Sequence, residues 1–516
     1  MPKVSGDWIK RLAAVIVIPV LSACAGSSGM AEIERPSPEA MARTALGTIT
    51  AEDIAREIDA LAHDSMAGRD TPSPGLEAAA SYIAERFRSM GLEPAGENGT
   101  YIDRFEWEQS TFSRSGVAFR VQGQGGAELE YSRDFFLIPG SQPVSGEGFY
   151  LGIAGEDNPT EDHRGKVVFL DNPVPELNQE FQERITGALM GAMSSGIAGL
   201  VLILGPEFPA ENVPQISAMG AEQQAPIPLL GMTSDAAGRL MGDAGHGLGA
   251  LRAAEGPTAL GATMEIEWSR EVQIHTPPNV VGILPGSDPA LRDTYVVLTA
   301  HFDHVGIGAP DATGDSIYNG ADDNASGTAG VLEVAEAFAS LPEAPARSVI
   351  FLAVSGEEKG LLGAMAYVED PPVIDIQNVV TNVNLDMIGR LAPDTIIGIG
   401  QEYSSLQAVL DEIQEHHPEL GLSVILDPVP EERYFFRSDQ LPFIQQGIPA
   451  VFFTTADHED YHRPSDEAAK IDSDKAARVS RLAFLLAYHV AQDPNAPAWT
   501  EEGWAQVEEL LRQSIF

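Results

Sequence analysis

Five short segments of this 516-residue chain each offer an imidazole or a carboxylate beside a hydrophobic run. They carry His301 and Asp303, Asp322 and Asp323, Glu357 and Glu358, Asp386, and His462. Imidazoles and carboxylates are borderline to hard donors, which suits zinc, with cobalt or manganese as alternatives. Thiolate ligation is excluded at these segments, and so is an intrachain disulfide, because Cys24 is the single cysteine. The donors outnumber the three protein ligands of one catalytic zinc. A pair of ions about 3.5–4 Å apart, sharing one carboxylate, would use them naturally.

Distant segments of this kind need a sheet to bring them together. Residues 295–300, 349–354, 379–385 and 450–453 read as buried apolar strands. Val331, Val334, Ala335 and Phe338 recur at helical spacing between the first two. From about 270 to 490 strands alternate with helices. That predicts an α/β fold with a mixed, mostly parallel sheet and helices on both faces. His301 and Asp303 follow the first strand, Glu357 and Glu358 the second, Asp386 the third, and His462 the fourth after a short loop. Asp322-Asp323-Asn324 precedes the helix starting near Ala325. In open α/β sheets ligands bind at the carboxyl ends of strands, so all five segments are expected at one edge. Upstream, residues 50–90 read as helical, with Gly91 as a C-cap. Residues 135–262 are rich in Gly and Pro. They predict strands at 167–170, 199–204 and 227–230 and helices at 181–194 and 234–241, a separate small β-rich α/β lobe. Trp499, Trp504 and Leu510 predict a terminal helix after Gln492.

The motifs His301-Phe302-Asp303-His304-Val305-Gly306, Asn319-Gly320-Ala321-Asp322-Asp323-Asn324-Ala325-Ser326-Gly327, Ser355-Gly356-Glu357-Glu358-Lys359-Gly360, Asn384-Leu385-Asp386-Met387 and Tyr461-His462-Arg463-Pro464-Ser465-Asp466 occur in that order. Together they resemble the dizinc aminopeptidase family, which includes secreted bacterial leucyl aminopeptidases and glutamate carboxypeptidase. Gly68-Arg69 and Arg437-Ser438-Asp439 are similar as well. The 135–262 lobe resembles the protease-associated domain inserted in many members. The resemblance implies two zinc ions per chain and a zinc-exopeptidase fold. It implies that His301 and Asp386 bind one zinc, that Glu358 and His462 bind the other, and that Asp322 bridges both. It further implies a cis bond between Asp322 and Asp323, and Glu357 as general base. Asp303 is then expected to hold the second ring nitrogen of His301, and Tyr461 is a candidate oxyanion donor. Asp323, Ser438 and Asp439 are candidates for support, and His304 for a pocket wall or a group behind the ligands. His458 competes with His462, and Pro464-Ser465-Asp466 favours His462. His63, Gly68 and Arg69 read as structural, and His416 and His417 as surface.

The implied activity is removal of N-terminal residues from peptides. A carboxypeptidase or dipeptidase on the same site is the alternative, with Arg433, Arg437 and Arg463 available for a terminal carboxylate. A homodimer is left open, since the inserted lobe contributes to dimers in some relatives.

Composition narrows the partners. Hydrophobic residues make up 44% and charged residues 21%, ordinary globular usage. The formal charge of −45 argues against nucleic acid as a partner. At the start, Lys3, Lys10 and Arg11 precede an apolar run at 12–21 and Leu21-Ser22-Ala23-Cys24, which resembles a bacterial lipobox. The expected organisation is a lipoprotein signal at 1–24, a tether at 25–48, peptidase segments at 49–134 and 263–492 around the 135–262 lobe, and a C-terminal helix at 493–516. The expected location is the bacterial cell envelope. Export would leave the chain lipid-anchored to the membrane through Cys24, at the outer membrane or periplasmic face in a Gram-negative cell.

Overall fold

Alternation along each strand decides how the main sheet is covered. The computed structural model describes residues 38–123, 129–140, 142–175, 178–209, 212–220, 225–254 and 256–513. The signal, Cys24 and most of the tether lie outside the described residues. Four parallel strands form the centre of a nine-stranded sheet, side by side in the order Ser348–Val354, Tyr295–His301, Val379–Leu385, Ala450–Thr454. Antiparallel strands Pro278–Leu284 and Thr395–Ile399 flank them. Val296, Leu298, Ala300, Phe351, Val383 and Phe453 face one core with helices Ala51–Leu61, Pro74–Met90, Gly327–Ala339 and Ser473–Gln492. Val297, Ile350, Leu352 and Val354 face the opposite core, against helices Leu362–Glu369 and Gln440–Gln445. Both faces are therefore dry, as near-continuous apolar runs require.

Register explains why the polar segments meet. His301 pairs with Val354, Thr299 with Asn384, and Leu385 with Phe453. The residues that follow these strand ends leave the sheet at one edge. The helices are held by local signals. Thr50 accepts the Asp53 N–H and Ser73 accepts the Leu76 N–H as N-caps. Gly91 closes Pro74–Met90 at φ 78°.

A second, seven-stranded sheet runs in the order Trp107–Val121, Thr258–His275, Val144–Ile153, Val167–Asn172, Gly199–Leu204, Leu229–Thr233, Phe135–Ile138. It draws on strands on both sides of the expected 135–262 segment. The Trp107–Val121 strand is polar and half exposed, so its alternation carries little apolar signal. The terminal helix Glu501–Gln513 packs Trp504, Val507 and Leu510 onto Ile397, Ile399 and Phe435. Among the described residues no helix is long and apolar enough to cross a membrane.

Candidate metal centre

His301 ends its strand with its ring almost fully buried. Its Nε2 lies 3.3 Å from Asp386 Oδ1 and 3.4 Å from Asp323 Oδ1. Asp323 Oδ2 lies 3.1 Å from His462 Nε2 and 3.5 Å from His304 Nδ1. Glu358 reaches His462 Nε2 at 3.1 Å and His304 Nδ1 at 2.8 Å. Two donor groups result, His301–Asp323–Asp386 and His304–Asp323–Glu358–His462, with Asp323 common to both. Glu357 Oε2 stands 4.0 Å from His301 Nε2.

The sequence expectation is corrected at Asp322. The structure keeps its carboxylate out of both groups: Oδ1 accepts the Gly389 N–H at 2.7 Å, and Oδ2 lies 3.3 Å from His458 Nε2. Asp323 stands in the central position instead, and the cis bond is Asp323–Asn324 rather than Asp322–Asp323. Adjacent carboxylates in one tight turn point to opposite sides, and spacing alone does not say which points inward. Asp466 sets the choice by accepting the main-chain N–H of both Asp322 and Asp323. Asn324 ties the turn to the next one, donating to Leu385 O and accepting from Gly327 and Met387 N–H.

Asp303 is also corrected in detail. The His301 Nδ1 lies 3.2 Å from the Asp303 main-chain carbonyl and 3.8 Å from its carboxylate. That carboxylate accepts the Glu357 N–H and the Thr71 hydroxyl. It therefore anchors the turn that carries Glu357. Ser438 accepts from Asn384 Nδ2. The Tyr461 ring lies on the His462 ring, with centroids 3.9 Å apart. His462 joins the cluster and His458 does not. His304, expected as a pocket wall or a group behind the ligands, is inside it.

Arg69, read as structural from the sequence, supports the site from behind. Its fully buried guanidinium donates to the carbonyls of Phe302, Leu61, Asn319 and Gly320. It thus clamps the chain beside His301 to the chain leading into Asp323. Burial lowers its pKa to about 10, against the pull of Asp303 and Asp323. Gly68, at φ 68°, admits this crossing, because a Cβ there would sit 2.4 Å from Gly306 O. The sequence signals for it were the Gly-Arg pair next to a helix and its place in the family resemblance.

The electrostatics favour a cation. Burial raises the Glu357 carboxyl well above its usual value; His301 opposes this, while Asp439 and Asp386 add to it. Burial works against charge on His462, yet Asp323 and Glu358 hold its pKa up to about 10. Asp323 Oδ2, Asp386 Oδ1 and His462 Nε2 are buried without a hydrogen-bond partner, although other donors stand within 3.5 Å. Ring nitrogens and carboxylate oxygens that converge in this way, with several acids buried around them, fit divalent ions with N and O ligands.

Residues 279–487, which contain every donor above, match the model of Peptidase family M28. Aminopeptidase YwaD of Bacillus subtilis is 26% identical over 231 residues, covering 43% of this chain and 46% of the relative. Leupeptin-inactivating enzyme 1 of Streptomyces exfoliatus is 28% identical over 216 residues, covering 42% of each chain. The match thus spans about half the length of these curated relatives. The solved aminopeptidase from Aneurinibacillus sp. strain AM-1 superposes with a TM-score of 0.51 at 20% identity, over 89% of this chain and 97% of that one. The two share a fold.

Proposed function

We propose that this chain is a zinc-dependent aminopeptidase of peptidase family M28 that works with two ions. The observation that carries the reading is a buried Asp323 shared between two donor groups, one fully buried and one opening to solvent at His462, with Glu357 beside them. His301, Asp323 and Asp386 would hold one zinc; Asp323, Glu358 and His462 would hold the other. Bound there, zinc would supply Lewis-acid polarisation of the scissile carbonyl and acidify water.

The chain's own residues do the rest. Glu357 accepts a proton from the attacking water and delivers it to the leaving amine nitrogen. Its raised affinity for protons suits a group that must hold one between these two events. Asp303 fixes the turn through the Glu357 N–H. Arg437, a candidate for gripping a terminal carboxylate, is paired with Asp457 at 3.2 Å and Glu432 at 3.7 Å. That pairing opposes a carboxylate-gripping role for Arg437.

Two measurements test the reading. Dipeptides blocked at the N-terminus should resist cleavage while those blocked at the C-terminus are hydrolysed, and metal analysis should return near two zinc per chain. A zinc-loaded protein inert towards every free and blocked peptide would overturn it. Cys24 is proposed as the lipidated first residue of an exported envelope protein. Cys24→Ser should move the protein from the detergent phase to the aqueous phase.

A further inference from the structure

We propose that His304 makes the two metal positions unequal. It would act as a fourth protein donor that closes the Glu358 position and leaves the His301 position open beneath Glu357. The inference rests on the two-ion reading and goes beyond it, because that reading uses His304 for nothing.

His304 is fully buried, with Nδ1 2.8 Å from Glu358 Oε1 and 3.5 Å from Asp323 Oδ2. Its ring meets that of His462 edge to face, centroids 5.5 Å apart and planes 73° apart. The two imidazoles thus present one nitrogen each to the same pair of carboxylates. The seat is built for the ring. Gly320 adopts φ 55°, and a Cβ there would fall 2.5 Å from His304 Cδ2. The His304 N–H donates to the Arg69 carbonyl, which fixes the backbone from the other side. This group therefore has two nitrogen and two oxygen donors, while the His301 group has one nitrogen and two oxygens. Four protein donors fill a tetrahedral zinc site, whereas three leave a position for water or substrate. The open position is also the one with Glu357 within 4.0 Å of its imidazole. The first zinc equivalent should then occupy the Glu358 position and support little turnover, and the second should bring activity.

Competition of the full protein against a chromogenic chelator, with metal analysis after dialysis, tests this. Wild type should bind two zinc ions with separable affinities. Asp386→Asn should keep the tighter ion and lose the weaker. His304→Gln should weaken the tighter ion until the two affinities are no longer separable, and leave the weaker one unchanged. His304→Asp, which restores an oxygen donor, should recover part of the loss, as a purely packing role would not. Unchanged zinc affinities in His304→Gln, or loss of the tighter ion in Asp386→Asn, would overturn the proposal. Should His304→Gln fail to fold, Asp386→Asn and His304→Asp decide it. Wild type that binds no zinc would instead overturn the two-ion reading itself.

Discussion

Asp323 and Asp322 are chemically the same residue one position apart, yet they meet different surroundings. Asp323 faces three imidazoles, while Asp322 caps Gly389 and approaches His458. Asp323→Asn should therefore remove zinc from both positions. Asp322→Asn should leave zinc content near two and lower stability by about 1–3 kcal/mol, through the weakened buried contacts. Metal analysis with chemical denaturation separates the two outcomes, and zinc retention in Asp323→Asn would contradict the assignment. Glu357→Gln keeps shape and removes the proton acceptor. Turnover should fall by at least about 10²-fold while zinc content is unchanged.

Among the elements, the helix Gly327–Ala339 holds Asp323's turn at its start and a buried acid in its middle. Glu333 is fully buried, and neither carboxylate oxygen has a hydrogen-bond partner. Arg86 approaches it only to 3.7 Å and Arg56 to 3.9 Å. Burial raises its pKa to about 8, with Glu336, Asp53 and Glu57 adding to the rise. The folded state therefore binds this proton more tightly than the unfolded chain does. The associated stability is present in full below the ordinary glutamate pKa and is lost as pH rises through about 8. Glu333→Gln should match wild type near pH 5 and be more stable near pH 9. Urea midpoints at the two pH values check this, and an equal difference at both would show that Glu333 does not titrate in this way.

At the scale of the whole molecule, the second sheet is entered and left through one ribbon. Trp107 pairs with His275 and Glu108 with Ile274, so the two crossing points are neighbours. A short Gly-Ser linker in place of residues 107–275 can therefore join the ends without moving the main sheet. The shortened chain should keep two zinc ions and, if it cleaves peptides as proposed, change its preference among peptides of different length. Lost zinc with intact secondary structure would mean that the lobe helps to build the centre.

The one-dimensional chain determined a good deal by itself. Apolar runs marked the four central strands, and the polar motifs after them marked the edge that carries the donor groups, because a strand end is local in sequence. Caps at Thr50, Ser73 and Gly91 are local for the same reason. Tertiary structure alone decided which of two adjacent aspartates points inward, since Asp466, 143 residues from Asp323, holds that turn. It also decided that His304 joins Glu358, and that Arg69 stitches together backbone more than 230 residues away. A side chain's direction in a turn depends on the groups that close around it, and those come from distant parts of the chain.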